Sequence, residues 1–421
     1  MKELNVIFCR EKGDEFPVGQ LVEKEHRIYF EYDSDFLKDP LFLSPFKLPP
    51  KPGLHEHKDR DFGPIFGLFD DSLPDDWGLL LMDRFLKKMG IDLHDVSVLD
   101  RLSFLGSDTM GALIYRPTMP RDDDDGEKDS IINLHDLSIQ SKQIFTGESD
   151  EVLPQLMKAG GSPGGARPKV LVGVCGDRVI SGERDLPPGF DHWLIKFPVE
   201  QEFPDEGPIE HAYSLMAKNA GIRMTETRLF TTKEGDRFFG IKRFDREGNK
   251  RFHVHTLGNL VHANFRLPSL DYEQFLKAVM IMTRNHEDLK RGFKQMVFNV
   301  LANNRDDHVK NFSFIMDDNG EWALSPAYDL NFSRGMAGEH TMALMGEGRS
   351  PGRNEIQEIG KRVGLKKSEV ESALEQVTNA VKKWPEHAQT AGVSEKSMNE
   401  IRSIIEKRSL KKKRSRLPSK P

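Results

Sequence analysis

Asn303-Asn304-Arg305-Asp306-Asp307-His308-Val309-Lys310-Asn311-Phe312-Ser313-Phe314 is the stretch around which the rest of the chain can be ordered. It follows a long run with helical apolar spacing and precedes residues of strand character. Phosphoryl transfer to a hydroxyl needs a carboxylate to accept the hydroxyl proton. It also needs an oxygen donor a few residues later to hold a metal ion. Asp306 and Asn311, five residues apart across a loop that carries His308 and Lys310, meet that requirement. A bland polar turn explains the paired aspartates, but not their spacing together with the pieces on either side.

Downstream, Asp317-Asp318-Asn319-Gly320 reads as a hairpin turn. Beyond it, Asp329 closes the short strand Trp322-Ala323-Leu324-Ser325-Pro326-Ala327-Tyr328, which returns its carboxylate to the edge that holds Asp306. Upstream lies Gly160-Gly161-Ser162-Pro163-Gly164-Gly165-Ala166-Arg167-Pro168-Lys169, followed at once by a strand. Such glycines let successive N–H groups face one anion, with Arg167 and Lys169 adding charge beside them. It is no Walker loop, and taken alone an ordinary flexible turn is the better reading. In Asp191-His192-Trp193-Leu194-Ile195-Lys196-Phe197-Pro198, Lys196 is the one basic residue of an apolar strand. It is placed either to meet nucleotide phosphates or to blunt a strand edge. Glu210, expected to open a helix to Asn219, is either its partner or a first-turn glutamate favoured by the helix dipole. Asp306 with Asn311 repeats the spacing of the H-R-D-x-x-x-x-N loop, with Asn304 in place of the histidine, and Asp329 stands where D-F-G places its aspartate. The order of the four pieces is more specific than any one of them.

The series GGSPGGARPK, HWLIKFP, IKRFDR, LANNRDDHVKNFSF and LSPAYDLNF resembles the HipA-type serine/threonine kinases, the toxin half of bacterial toxin–antitoxin pairs. The likeness is strong over residues 150–335 and extends more loosely to GLFDDSLPDDWGLLLMDR near the N-terminus. It implies ATP and Mg²⁺, with Asp306 as catalytic base, His308 and Lys310 as supports of the catalytic loop, and Asn311 and Asp329 as metal ligands. It implies further that Gly161, Ser162, Gly164, Gly165, Ala166, Arg167, Lys169 and Lys196 surround the phosphates, and that Lys242 to Phe244 bond the adenine through backbone. Ser162 matches the loop serine that such kinases autophosphorylate. Two departures stand out: Lys242 where a glutamate is familiar, and Asp307 where glycine is common. The implied partners are a protein substrate in translation, such as an aminoacyl-tRNA synthetase, and a helix-turn-helix antitoxin through which DNA is reached.

Composition agrees with this outline. The 421 residues make two or three domains at about 100–200 residues each. With 61 Lys+Arg against 67 Asp+Glu, a formal charge of −6 and 37% hydrophobic residues, the chain has a soluble globular composition. Two cysteines, Cys9 and Cys175, exclude a disulfide framework and a Cys-rich zinc site. No apolar run is long enough for a membrane span and no leader is evident, so a cytoplasmic protein is expected. The expected fold is α+β and two-lobed, protein-kinase-like, with a β-rich N-lobe, an N-terminal subdomain and an α-helical C-lobe. The expected boundaries are a subdomain over 1–120, an acidic linker with helices over 121–157, the N-lobe over 158–244, the C-lobe over 245–406 and a basic tail over 407–421. That tail holds eight basic residues and no acidic one, an electrostatic handle for nucleic acid or a plain solvated end.

Other features have bland readings. His253 and His255, with His262 nearby, fit a zinc site poorly for want of further ligands. The aromatic run 36–46 reads as packing, and the Met- and Gly-rich residues 335–348 read as a mobile substrate-facing loop. Two rivals to a protein kinase remain at this stage: a small-molecule kinase with the same carboxylates, and a DNA-binding co-repressor with a vestigial site.

Overall fold

Alternation of inward and outward side chains, interrupted by a bulge in the β1–β2 ladder, builds the first sheet. Strands β1 (Lys2–Glu11), β2 (Asp14–Lys24), β3 (Arg27–Tyr32), β4 (Leu54–Glu56) and β5 (Leu113–Arg116) pair antiparallel in the order β4-β3-β2-β1-β5. Leu4, Val6 and Phe8 of β1 are buried with Leu21 of β2 and Ile28 and Phe30 of β3, as a period of two demands. The computed structural model describes residues 1–119, 131–149, 152, 156–157, 165–182, 185–199, 203–267 and 270–409. Between β4 and β5 lie three helices, α1 (Gly67–Asp70), α2 (Asp76–Lys88) and α3 (Val98–Leu105). A reciprocal Ser97–Asp100 capping box starts α3. The acidic run 121–130 falls outside the described residues, and α4 (Leu134–Thr146) follows it.

The second sheet comprises β6 (Lys169–Cys175), β7 (Arg178–Ser181), β8 (Asp191–Lys196), β9 (Thr227–Thr231) and β10 (Arg237–Lys242), in the order β7-β6-β8-β10-β9. Helix α5 (Glu206–Asn219) connects β8 to β9. After the small ladder of β11 (Arg246–Glu247) and β12 (Lys250–Arg251), β13 (His253–Thr256) leads into α6 (Leu257–Val261). Helices α7 (Tyr272–Thr283) and α8 (His286–Leu301) then precede the hairpin of β14 (Ser313–Met316) and β15 (Trp322–Leu324), which completes a three-stranded sheet with β13. Helices α9 (Arg353–Arg362), α10 (Lys367–Lys382), α11 (Trp384–Ala391) and α12 (Glu395–Ser409) close the helical lobe. The α+β, two-lobed outline expected from the sequence stands.

The N-terminal sheet packs into the helical lobe, and the helices that accompany it pack into the β-lobe. One continuous core joins Phe8, Phe30 and Phe69 to Leu257, Phe275 and Phe314 of the helical lobe. A second joins Trp77 and Leu81 of α2 and Leu137 of α4 to Val170 and Trp193 of the β-lobe. At the first junction, α1 lies so close to α6 that a Cβ on Gly67 would fall 2.0 Å from the Asn259 carbonyl oxygen. Polar contacts fix this approach. Asp71 accepts from Thr256 N (2.9 Å), Thr256 Oγ1 (2.7 Å) and Asn259 Nδ2 (2.7 Å). Its Oδ2 also lies 2.5 Å from His255 Nδ1. Bonds to a charged group of this kind contribute about 1.5–3 kcal/mol each. His255 Nε2 meets Ser44 Oγ at 2.9 Å and His253 Nε2 meets the Leu43 carbonyl at 3.1 Å, so both imidazoles serve the interface. Burial pushes His253 down to about 4, which keeps it neutral at pH 7.

A buried charge network makes the second junction. Asp245 accepts from Arg243 Nε (2.9 Å), Arg246 Nη1 (2.7 Å) and the Gly111 N–H (2.9 Å). Arg251 donates to the carbonyls of Ser107 (2.9 Å), Thr109 (3.1 Å) and Gly111 (2.9 Å). Burial works to raise the Asp245 carboxyl, but Arg243 and Arg246 hold it far below the usual range. Among the described residues, no helix is long and apolar enough to cross a membrane.

Candidate active site

Alternation along β8 sends Trp193 and Ile195 into the core and leaves Lys196 on the opposite face. There its Nζ lies 2.6 Å from Glu210 Oε1 on α5 and 2.5 Å from Asp329 Oδ1. Helix α5 starts at Glu206, so Glu210 sits in its second turn and the first-turn dipole reading is replaced by a direct ion pair. Lys169 of β6 stands directly across the ladder from Lys196. Like charges opposed in this way repel, and the arrangement persists because carboxylates surround it. Burial, then the Lys196 charge, pushes Lys169 down to about 8, against the pull of Asp329, Asp75 and Glu210. Burial also works against the charge on Lys196, but Asp329 and Glu210 win and keep it protonated. For Asp329, burial favours the neutral acid, yet Lys196 and Lys169 hold the carboxyl well below its ordinary range.

The loop after α8 brings the other carboxylates to the same place. Asn303 adopts a left-handed backbone (φ +57°), and its side chain donates to the Ser333 carbonyl at 2.9 Å. Asp307 is fully buried and accepts from Tyr272 Oη (2.6 Å) and the Thr341 N–H (2.8 Å), with His340 Nδ1 at 2.8 Å. That is why an aspartate stands where glycine is common: it ties the loop to α7 and to residues 340–341. Asp306 opens to the cleft, and among the described residues its carboxylate has no hydrogen-bond partner. Desolvation in the cleft raises its pKa, helped by Asp329 and opposed by His308 and Arg167. The Asn311 side chain donates Nδ2 to the Asp306 carbonyl at 2.7 Å, which leaves its Oδ1 as a hard oxygen donor in the loop that carries Asp306. Oxygen donors of this kind suit Mg²⁺.

The two supporting residues differ in their surroundings. His308 packs beside Phe265, with ring centroids 5.7 Å apart, and its Nδ1 is buried without a partner among the described residues. Lys310 Nζ pairs with Asp75 (2.9 Å) and Asp70 (3.3 Å) of the N-terminal domain and lies 4.7 Å from the centre of the Phe265 ring. Its carbonyl accepts from Tyr328 Oη at 2.7 Å, next to Asp329, whose backbone is itself left-handed (φ +54°).

On the nucleotide side, Gly161, Ser162 and Gly164 lie outside the described residues. Gly165 donates its N–H to Asp75 Oδ2 at 3.0 Å and accepts from the Trp77 N–H at 3.3 Å, so this amide faces a carboxylate. Ala166 lies beside it, and Arg167 reaches to 3.6 Å from Glu206. The N–H groups of Lys242 and Arg243 are taken up by the Glu226 and His192 carbonyls at 2.9 Å each. The Lys242 ammonium pairs with Asp191 at 2.8 Å, and Phe244 stacks on Tyr328 at 5.6 Å. A cavity of about 330 Å³ between α8 and α10, lined by residues such as Lys290, Lys294 and Glu369, contains none of these groups.

Sequence reading missed Asp70, Asp75, Glu206 and the part played by Arg305. The Arg305 guanidinium donates to the carbonyls of Arg334 (3.2 Å), Gly338 and Arg349 (3.1 Å). Residues 335–348, expected to be mobile, are therefore tethered by Arg305 and by Asp307. Met342 is buried there while Met336 is 91% exposed.

Comparison with known proteins matches residues 13–116 to the HipA N-terminal domain and residues 161–384, more than half of the chain, to the HipA-like C-terminal domain. A protein of Haemophilus influenzae named "Putative kinase" is 29% identical over 153 residues, 33% of this chain and 44% of that protein. "Putative kinase Y4dM" of Sinorhizobium fredii is 28% identical over 166 residues, 36% of this chain and 40% of that protein. The chain thus matches less than half the length of these curated relatives. HipA of Shewanella oneidensis, from the structure titled as its toxin–antitoxin complex with HipB and operator DNA, is 16% identical. It aligns over 96% of this chain and 95% of its own with a TM-score of 0.70, so the fold is shared.

Proposed function

The chain belongs to the HipA-like family, and on that premise we propose that it is an ATP- and Mg²⁺-dependent serine/threonine protein kinase, the toxin of a toxin–antitoxin module. The observation that carries the reading is the convergence of Lys196, Glu210 and Asp329 with Asp306 and the loop of Asn311, groups drawn from four separate stretches of sequence. Asp306, with its pKa raised and its carboxylate unpartnered, suits a base that takes the hydroxyl proton as the new O–P bond forms and the bond to ADP breaks. Lys196, Lys169 and Arg167 supply the positive charge that meets the phosphates, with Gly161, Ser162, Gly164, Gly165 and Ala166 forming the loop over them. Asn311 and Asp329 would hold the Mg²⁺, which would supply positive charge against the negative charge that develops in the transfer. Lys242 to Phe244 would meet the adenine. Because the Lys242 and Arg243 N–H groups are already engaged, the backbone beyond them is the part left for that contact.

The substrate proposed is a component of translation, such as an aminoacyl-tRNA synthetase, and the partner a helix-turn-helix antitoxin that carries the complex to DNA. The Shewanella complex with HipB and operator DNA supports this assembly by family likeness. Ser162 is the proposed site of autophosphorylation, where about −1.5 to −2 added charges would compete with ATP for the loop amides. Incubating the full chain with radiolabelled ATP and Mg²⁺ tests the reading. Self-labelling at Ser162 that disappears in Asp306→Asn is expected; labelling and toxicity that survive Asp306→Asn would overturn it.

A further inference from the structure

Resting on the kinase reading, we propose that Asp75, supplied by the N-terminal domain, is a positioning residue of the active site that holds the end of the glycine loop and the catalytic loop in fixed relation. Asp75 occupies the residue before α2 with extended backbone (φ −85°, ψ −166°), the place where an aspartate caps its own helix. It makes no such bond. Its two oxygens go elsewhere, Oδ2 to the Gly165 N–H at 3.0 Å and Oδ1 to Lys310 Nζ at 2.9 Å, partners 90 and 235 residues away.

Neighbouring contacts give the clamp its direction. Trp77 N–H donates to the Gly165 carbonyl (3.3 Å) and Trp77 Nε1 to the Lys169 carbonyl (3.1 Å). Both sides of the Gly165 residue and the root of β6 are thus held by one turn of the N-terminal domain. Gly165 itself has φ +98°, a backbone conformation that favours glycine whatever the space around it. On the other side, Lys310 adjoins Asn311, and its carbonyl accepts from Tyr328 beside Asp329. The carboxylate therefore reaches one proposed metal ligand, Asn311, through Lys310, and the other, Asp329, through Lys310 and Tyr328. Forgoing the cap and burying an Asp–Lys pair are both unfavourable for stability alone. A geometric task at the site explains why this aspartate faces the loops.

The test compares Asp75→Ala, Asp75→Asn and Ser44→Ala in the full chain. Ser44 bonds His255 at the same domain junction without touching either loop. Four quantities are read: melting temperature, Kd for a non-hydrolysable ATP analogue with Mg²⁺, kcat of self-labelling, and hydrogen exchange over residues 165–169. Asp75→Ala is expected to weaken analogue binding about tenfold, to lower kcat by at least about tenfold at saturating ATP, and to speed exchange at Gly165. Asp75→Asn, which retains an acceptor for the Gly165 N–H, should recover the exchange protection but only part of kcat. Ser44→Ala should lower the melting temperature alone. If Asp75→Ala changes only the melting temperature, as Ser44→Ala does, or if it binds the analogue more tightly, the positioning role is wrong. Should the wild-type chain show no Asp306-dependent transfer, the kinase reading fails, while analogue affinity and Gly165 exchange still decide the clamp.

Discussion

Replacing Lys169 by methionine should stabilise this protein at neutral pH while impairing it. Lys169 is buried, faces Lys196 across the ladder, and has its pKa pushed from the ordinary 10.5 to about 8. A depressed lysine means that, between pH 8 and about 10.5, the unfolded chain binds more protons than the folded one. Stability therefore rises with pH across that window. Below pH 8 both states carry the proton and the whole penalty is present. At about 1.36 kcal/mol per pH unit, a shift of about 2.5 units amounts to about 3 kcal/mol. Lys169→Met removes the charge but keeps an unbranched apolar side chain of similar length. Urea unfolding of the nucleotide-free protein, followed by tryptophan fluorescence, is expected to show the variant more stable by about 2–3 kcal/mol at pH 7, with the two proteins converging near pH 10.5. In the same samples ATP with Mg²⁺ should stabilise the wild type more than the variant, because the phosphates lose one cation. A variant that is less stable at pH 7, or a difference that does not change with pH, would refute the account of Lys169 as a strained cation held for a polyanion.

Other perturbations probe the remaining supports. Asp307→Ala leaves Tyr272, His340 and the Thr341 N–H without their acceptor, and should cost at least about 3 kcal/mol in urea unfolding. Arg305→Ala releases the Arg334 and Arg349 carbonyls, whose peptide bonds are trypsin sites. Their cleavage under limited proteolysis should quicken about tenfold relative to wild type, consistent with losing about 1.5 kcal/mol of tethering. For catalysis, the raised pKa of Asp306 places the acid limb of kcat above the ordinary aspartate value of about 4. Arg167→Gln removes a charge that lowers this pKa, so at saturating ATP the limb should move further up; a downward move would contradict the assignment of Asp306 as base.

Local spacing carries much of what could be read without coordinates. Asp306 and Asn311 share one loop, Asp329 lies one hairpin on, and Lys196 sits at a fixed parity along an apolar strand, so each is written within a short window. The start of α5 was not legible, because Gly207-Pro208 reads as a breaker although proline is tolerated in a first turn. Gly207 is also needed there, since a Cβ would fall 2.3 Å from the Arg237 carbonyl oxygen. The separate helix α11 is hard to read from sequence, because its Pro385 lies in the first turn directly after α10, where two short helices look like one helix and a loop. Residues 335–348 look mobile by composition, and only pairing with Arg305 and Asp307, about 30 residues back, reveals their tethers. Asp75 was hidden more thoroughly: its surroundings, Leu-Pro-Asp-Asp-Trp, describe a helix start, and nothing within that window points to a lysine 235 residues away.

Lys310 shows why such long-range pairing changes the chemistry and not only the packing. Beside Asp306 and Asn311 in sequence it looks like one more cation for the phosphates. In the folded chain its ammonium lies between Asp70 and Asp75; burial opposes its charge, but these carboxylates raise its pKa well above the ordinary range and balance the charge locally. Unlike Lys196, whose partner Asp329 would turn to the Mg²⁺, Lys310 is tied to two half-buried carboxylates that no proposed ligand would neutralise if it left. On the proposed reading the positive field for ATP rests on Lys169, Lys196 and Arg167, all from the β-lobe, while the helical lobe contributes carboxylates and an amide. The N-terminal domain, through Asp70 and Asp75, takes Lys310 out of that set.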